Sequence, residues 1–347
     1  MQRLYVPHSG ALQSLYADIE GYALTVSEPF VGTPGGVVQR TNAGGFSFYA
    51  HQYYDGEGKK AERYLGGPVG DPSADAAAEA LGNRIAETND IVPSLRLLGR
   101  EGFNLVDARS YATIASLTRY GVFEAGASLI GSNAFGVILN RLGVKSTAFS
   151  TEDIDIARND SLAFRTPPSA GFLTMLKDSG IPFVEVPGLD PKSPATSFKQ
   201  RGKGRFHVDL LVPSRNEDFP VVAVPELAAH ATGLPYLDYL LEESQMAMLV
   251  ARQGCCPVRV PVPERFAIHK LVISRLRVGR DAKAAKDVRQ AAILAAVLGE
   301  QQPGALEAAR NSVPAKAKKL LKQALIVARK HLETEYPRAW EELVGWQ

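Results

Sequence analysis

Apolar residues recur at helical spacing across residues 12–24, which predicts an amphipathic helix with one face against a core. The pattern then changes. The aromatic, partly alternating runs FSFYAHQYY and KKAERYLGG flank the turn DGEGKK and predict a β-hairpin across residues 44–67. Asp71-Pro72-Ser73 opens an Ala-rich helical stretch to about residue 100, with Asp71 or Ser73 as the cap.

The middle of the chain mixes both periods. Residues 103–107 and 122–127 read as strands, and residues 133–142 as a helix closed by Gly143. Residues 151–157 and 205–212 alternate as strands, with a helix at 168–179 and a strand at 182–186 between them. Residues 189–204, rich in Pro, Ser and bases, read as a loop or hairpin tip. From about residue 225 the pattern turns helical. A proline-bracketed strand at 258–262 precedes helices at 264–277, 282–298, 304–311 and 315–336. The order predicts an α+β fold, a mixed β-sheet flanked by helices. We divide it into an accessory region at 1–110 holding the hairpin, a central domain at 111–224 and a helical domain at 225–347.

Composition narrows the class. The 347 residues suit two or three domains, and 45% hydrophobic with 22% charged residues excludes a disordered chain. No apolar run approaches the length that crosses a bilayer, and the first residues lack the charge-then-apolar pattern of a signal peptide. Cys255 and Cys256 are adjacent, a spacing poor for a disulfide and too sparse for structural zinc. They read as buried thiols in a reducing cytoplasm. The net charge of +2 points to no partner by itself.

The chemistry lies in TEDIDIA. On a strand, Asp153 and Asp155 share one face while Ile154 and Ile156 take the other. Side-by-side carboxylates repel unless a cation sits between them. Asp209 lies in the strand RFHVDLLV, and if that strand pairs beside the first, three carboxylates converge. Such an oxygen set suits Mg²⁺. Upstream, Ile130-Gly131-Ser132 stands between a strand and a helix, where backbone N–H groups and a hydroxyl face an anion.

Hydrophobic-Gly-Ser, a helix, Asp-hydrophobic-Asp-hydrophobic and a later third Asp together resemble the DNA-polymerase-β-like nucleotidyltransferases. The nearest likeness is to the stand-alone bacterial NTP_transf_8-type family, which shares a layout with AbiEii and MenT toxin-type enzymes. The run HKLVISRLRVGRDAKAAKDVRQA is similar to their C-terminal helices at Lys270, Arg275, Arg280, Asp281 and Asp287. The likeness covers roughly residues 120–295. The 21 residues from Ser132 to Asp153 exceed the compact superfamily spacing, and Asn133-Ala134-Phe135 departs from the usual Thr-Ala-Leu-like run.

The resemblance implies that Asp153, Asp155 and Asp209 are catalytic and bind two Mg²⁺, with Mn²⁺ as an alternative. It implies that Gly131, Ser132, Lys270, Arg275 and Arg280 hold the nucleotide, so the central domain is catalytic. The implied reaction moves an NMP from an NTP to an acceptor hydroxyl on RNA or tRNA, protein or a small molecule. The alternative is a non-catalytic nucleotide- or nucleic-acid-binding module. Several residues stay open between two readings. Lys270 either contacts phosphate or sits on a solvated helix face; Asp287 either orients it or is structural. His207 either approaches the metal site or is structural.

Residues 265–330 hold 15 Lys and Arg against four acids, an excess of 11. That is either an electrostatic footprint for a polyanion or, around Lys316 to Lys322, a solvated helix side. The hairpin's aromatics and bases suit either nucleic-acid stacking or ordinary packing.

Overall fold

The computed structural model describes residues 3–146, 152–188, 193–202, 204–215, 219–277, 279 and 281–345. The fold is mixed α/β, as the pattern predicts. Its centre is a seven-stranded mixed sheet. Five strands run in the order Val221–Val224, Ala229–Pro235, His207–Ser214, Asp153–Ala157, Ser128–Ile130. The long strand His207–Ser214 pairs in parallel with Asp153–Ala157 on one side. On its other side, its first half pairs antiparallel with Ser197–Gln200 and its second half parallel with Ala229–Pro235. Phe183–Val186 adds the remaining strand beside Ser197–Gln200.

Alternation explains why these segments lie as they do. Ile154, Ile156, Val208 and Leu210 point into the core and are 0–1% exposed, while the aspartates between them take the opposite face. Burial of such side chains contributes about 1.5–3 kcal/mol each. A one-residue slip of either strand would exchange the two sets, so the apolar face fixes the register that collects the acids.

The helices follow their capping chemistry. Asp71 caps Pro72–Arg100 by accepting from Ser73 N and Ala74 N at 3.0 and 3.1 Å. Gly131–Arg141 is closed by Gly143 at φ +66°. In the C-terminal part, Asp281–Gln301 is buried on all sides from Ala291 to Leu298, packed against Pro263–Ser274. Ala315–Leu332 buries Ala317, Leu321, Ala324, Leu325, Ala328 and Leu332. Its Lys316, Lys318, Lys319 and Lys322 stand on the exposed side. One apolar core draws on residues from Leu4 to Leu343; a smaller one joins Tyr16, Ile19, Leu95, Leu98, Phe103 and Met248.

Several elements differ from the sequence expectation. Residues 122–127 are not a strand but a chain of turns after the helix Ala108–Arg119, closed by Val122 N on Leu117 O. Gly121 at φ +72° and Gly126 at φ +115° break the extended path there. Residues 103–107 form only a bridge from Val106 to Ala251, because Asp107 is committed as the cap of Ala108–Arg119. The helix expected at 168–179 shortens to Phe172–Lys177. Within the expected loop at 189–204, Ser197–Gln200 is a strand; residues 189–192 and 203 lie outside the described residues.

Residues 229–261 are largely strand rather than helix. Ser244–Ala251 and Gly254–Pro261 form a hairpin whose short apolar runs cannot be told from a helix by period alone. The expected N-terminal hairpin gains a third strand, Gly36–Thr41. Both cysteines are buried thiols; burial pushes Cys255 up to about 12 and Cys256 further. Among the described residues, no helix is long and apolar enough to cross a membrane.

Candidate active site

Register builds the site. His207 stands beside Asp153 and Asp209 beside Asp155 in the parallel pair. In-register residues of adjacent strands share a face, so the three aspartates expected from sequence form one half-buried acidic surface with His207 among them. The His207 Nδ1 lies 3.3 Å from Asp153 Oδ1, and its Nε2 lies 3.4 Å from Asp209 Oδ2. Ser197 Oγ donates to the other oxygen of Asp209.

Gly131 closes the site from the helix side. Its φ of +70° favours glycine, and a Cβ there would lie 2.0 Å from Asp155 Oδ2. Only an unsubstituted backbone lets the carboxylate approach the first turn of Gly131–Arg141. The N-cap residue Ile130 has no side chain that can cap, and among the described residues none takes its place, so the N–H groups of the turn can receive an anion. Asn133 Nδ2 donates to Asp153 O at 3.0 Å, tying the helix start to the acidic strand.

The electrostatics report crowded negative charge. Burial, with the neighbouring Asp209 and Asp153 charges, raises the Asp155 carboxyl to about 6; Lys270 and His207 oppose the rise. His207 is raised to about 9, first through its hydrogen bond to Asp209 and then by the acidic surroundings, against its burial. Among the described residues, no set of three or more His, Cys, Asp or Glu side chains is drawn together as a finished metal cage. The donor set nevertheless fits a divalent cation. Mg²⁺ keeps several waters and uses one or two carboxylates plus substrate oxygens, so an open carboxylate face serves it. Asp155 is raised first by its burial and then by Asp209, so a cation bound at this face would relieve both costs.

The expected nucleotide-binding residues divide. Gly131 and Ser132 lie at the acidic face and the helix start. Lys270 is not on a solvated helix side: it is 7% exposed, and its Nζ lies 2.8 Å from Asp287 Oδ1. Arg277 Nε takes the other Asp287 oxygen at 3.0 Å. Asp287 therefore anchors Lys270, whose charge is felt at Asp155. Arg275 is an exposed C-cap residue of Pro263–Ser274 and, among the described residues, forms no ion pair. Arg280 lies outside the described residues. His269 is buried and its pKa lowered to about 3 by desolvation, which keeps it neutral.

Three contributors escaped the sequence reading. Ser197 and Lys199 stand opposite Asp209 and His207 across the antiparallel pair, so they share the acidic face. Their segment looks like a loop in sequence, and only the pairing exposes their alternation. Asn133 sits where the motif departs from the usual run, and that departure was its one signal.

No curated protein and no solved structure matches the chain. A family model does match residues 109–316, more than half of the chain, and that span holds the acidic strands, the Gly131 helix and the Lys270–Asp287 pair. On that match the chain belongs to the NTP_transf_8 nucleotidyltransferase family.

Proposed function

We propose that this chain transfers a nucleoside monophosphate from an NTP to an acceptor hydroxyl, releasing pyrophosphate, with Asp153, Asp155 and Asp209 as the metal-binding carboxylates. The observation that carries this reading is their placement on one face of the sheet, Asp209 in register with Asp155, beside the first helical turn at Gly131. Bound there, Mg²⁺ (two ions, or Mn²⁺ in their place) would neutralise the triphosphate and lower the pKa of the acceptor hydroxyl.

The protein groups position and neutralise. The N–H groups of the first helical turn and the Ser132 hydroxyl receive phosphate oxygens. Lys270, held by Asp287, keeps positive charge near Asp155. Ser197 holds one oxygen of Asp209, and His207 faces the other. The acceptor hydroxyl gives up its proton to solvent as its oxygen attacks the α-phosphorus, and a new P–O bond forms while the bond to the leaving pyrophosphate breaks. Catalysis of this kind rests on alignment and charge stabilisation and needs no protein nucleophile.

The acceptor is RNA (a tRNA end included), a protein side chain or a small molecule; the likeness to toxin-type enzymes favours RNA. The two buried thiols suit a reducing cytoplasm. The test is transfer of label from α-³²P NTPs to total tRNA, to the protein itself and to hydroxyl-bearing small molecules. Mg²⁺-dependent labelling is expected, falling about 10²- to 10³-fold in Asp153→Asn or Asp209→Asn. Full labelling in either variant would sink the assignment. Nucleotide binding without turnover in the wild type would leave a non-catalytic module instead.

A further inference from the structure

Beside the acidic face lies an open groove of about 1720 Å³. Ser132, Asn133 and Gly136 form one wall, so the groove begins at the helix start that borders Asp155. Its volume exceeds the range of about 300–1,000 Å³ typical of small-molecule pockets. Its described lining carries five cations, Arg3, Arg96, Arg100, Lys145 and Arg252, against a single acid, Asp107.

These cations come from four separate parts of the chain. Arg3 precedes the strand Tyr5–Pro7, and Lys145 lies in Val144–Ser146, paired with it. Arg96 and Arg100 occupy the last turns of Pro72–Arg100, and Arg252 the turn between Ser244–Ala251 and Gly254–Pro261. All five are exposed, and among the described residues none has an ion pair with a carboxylate. Two are steadied through backbone oxygens: Arg96 Nε donates to Arg252 O at 3.4 Å, and Lys145 Nζ to Glu101 O at 3.5 Å. Cations gathered along one groove without carboxylate partners are the footprint of a polyphosphate backbone.

The lining also tells which form of backbone. Its described aromatic residues, Tyr5 and Phe103, are 7% and 4% exposed, so neither offers a ring on which an unpaired base can stack. Single-strand binders rely on such rings; binders of double helices rely on phosphates and shape. We infer that this groove seats the phosphate backbone of a double-helical nucleic acid and leads its end to the acidic face. As the bed of the acceptor, this rests on the nucleotidyl-transfer reading; as a binding surface it stands without it.

The test measures binding of the full chain in EDTA, without NTP, by fluorescence anisotropy. The probes are an RNA stem-loop, a DNA duplex of the same sequence, an unstructured single strand and poly-glutamate. Five phosphate contacts give a slope of about −4.5 in log affinity against log salt for a duplex. Raising salt fourfold should therefore weaken binding about 500-fold. Arg96→Glu/Arg252→Glu should weaken binding at least tenfold and flatten the slope by about 2. Arg96→Gln/Arg252→Gln should show the same direction with an unchanged melting temperature, which guards against misfolding. Lys318→Glu/Lys319→Glu, on the C-terminal helix, should bind as the wild type does.

Preference for RNA, or equal binding of RNA and DNA, upholds the groove and names the source of the backbone. Wild-type affinity in both groove variants, loss in the Lys318/Lys319 variant instead, tighter binding of the single strand, or equal binding of poly-glutamate overturns it. Stem binding without Mg²⁺-dependent NTP turnover refutes transfer and spares the groove. Turnover without stem binding does the reverse.

Discussion

Asp155→Asn should stabilise the metal-free protein while abolishing its activity. The Asp155 carboxyl is raised from the ordinary 3.8 to about 6, chiefly by burial and then by Asp209. A raised carboxyl binds its proton more tightly in the folded state. Its contribution is therefore most favourable below about 4 and is lost as pH rises through about 6. Above that the ionised group costs the fold about 3 kcal/mol, since each tenfold in proton affinity is 1.36 kcal/mol. At pH 5, where the folded group is still mostly protonated, the cost is about 1.5 kcal/mol. Asparagine keeps the shape and removes the charge. Urea denaturation in EDTA should then show a gain of about 3 kcal/mol at pH 8 and about half that at pH 5. Adding Mg²⁺ should stabilise the wild type and leave the variant unmoved. A variant less stable than wild type at pH 8 in EDTA would refute the reasoning, because the carboxylate would then be supporting the fold rather than straining it for function.

Other perturbations probe the neighbours. Gly131→Ala puts a methyl 2.0 Å from Asp155 Oδ2 at φ +70°. It should cost about 1–2 kcal/mol in stability but about 10²-fold in kcat, because the carboxylate must swing aside; equal kcat in steady-state assays would contradict this. Lys270→Met leaves Asp287 with Arg277 alone in a site where the pair is 8% and 4% exposed. A loss of about 3 kcal/mol is expected by chemical denaturation, with much of it recovered in Lys270→Met/Asp287→Leu. His207 is raised from 6.5 to about 9, so its stabilising contribution is complete below 6.5 and fades as pH rises through about 9. NMR titration of the metal-free protein should find the imidazole still protonated at pH 7.5, and His207→Gln should flatten the stability profile between those values.

Much of the site was legible because it is local in sequence. Asp153-Ile154-Asp155 and His207-Val208-Asp209 each declare a strand with an acid face, since alternation is a property of a few consecutive residues. Gly131-Ser132 declares a helix start in the same way. The strand at Ser197–Gln200 was hidden because its neighbours are loop-like, and pairing, which is non-local, is what makes it a strand. The hairpin at Ser244–Pro261 was hidden because short apolar runs carry no distinguishing period.

Charge shows the division most plainly. The sequence by itself determined that the chain holds paired acids and a basic C-terminal half. It could not say which bases face one another, because that depends on contacts between residues far apart in the chain. The tertiary structure turned Lys316 to Lys322 into the outer side of an amphipathic helix and spent Lys270 and Arg277 on Asp287. It drew Arg3, Arg96, Arg100, Lys145 and Arg252, scattered over some 250 residues, onto one groove beside the acids. Short-range periodicity chose the faces of the elements; packing of those faces alone decided which charges became neighbours.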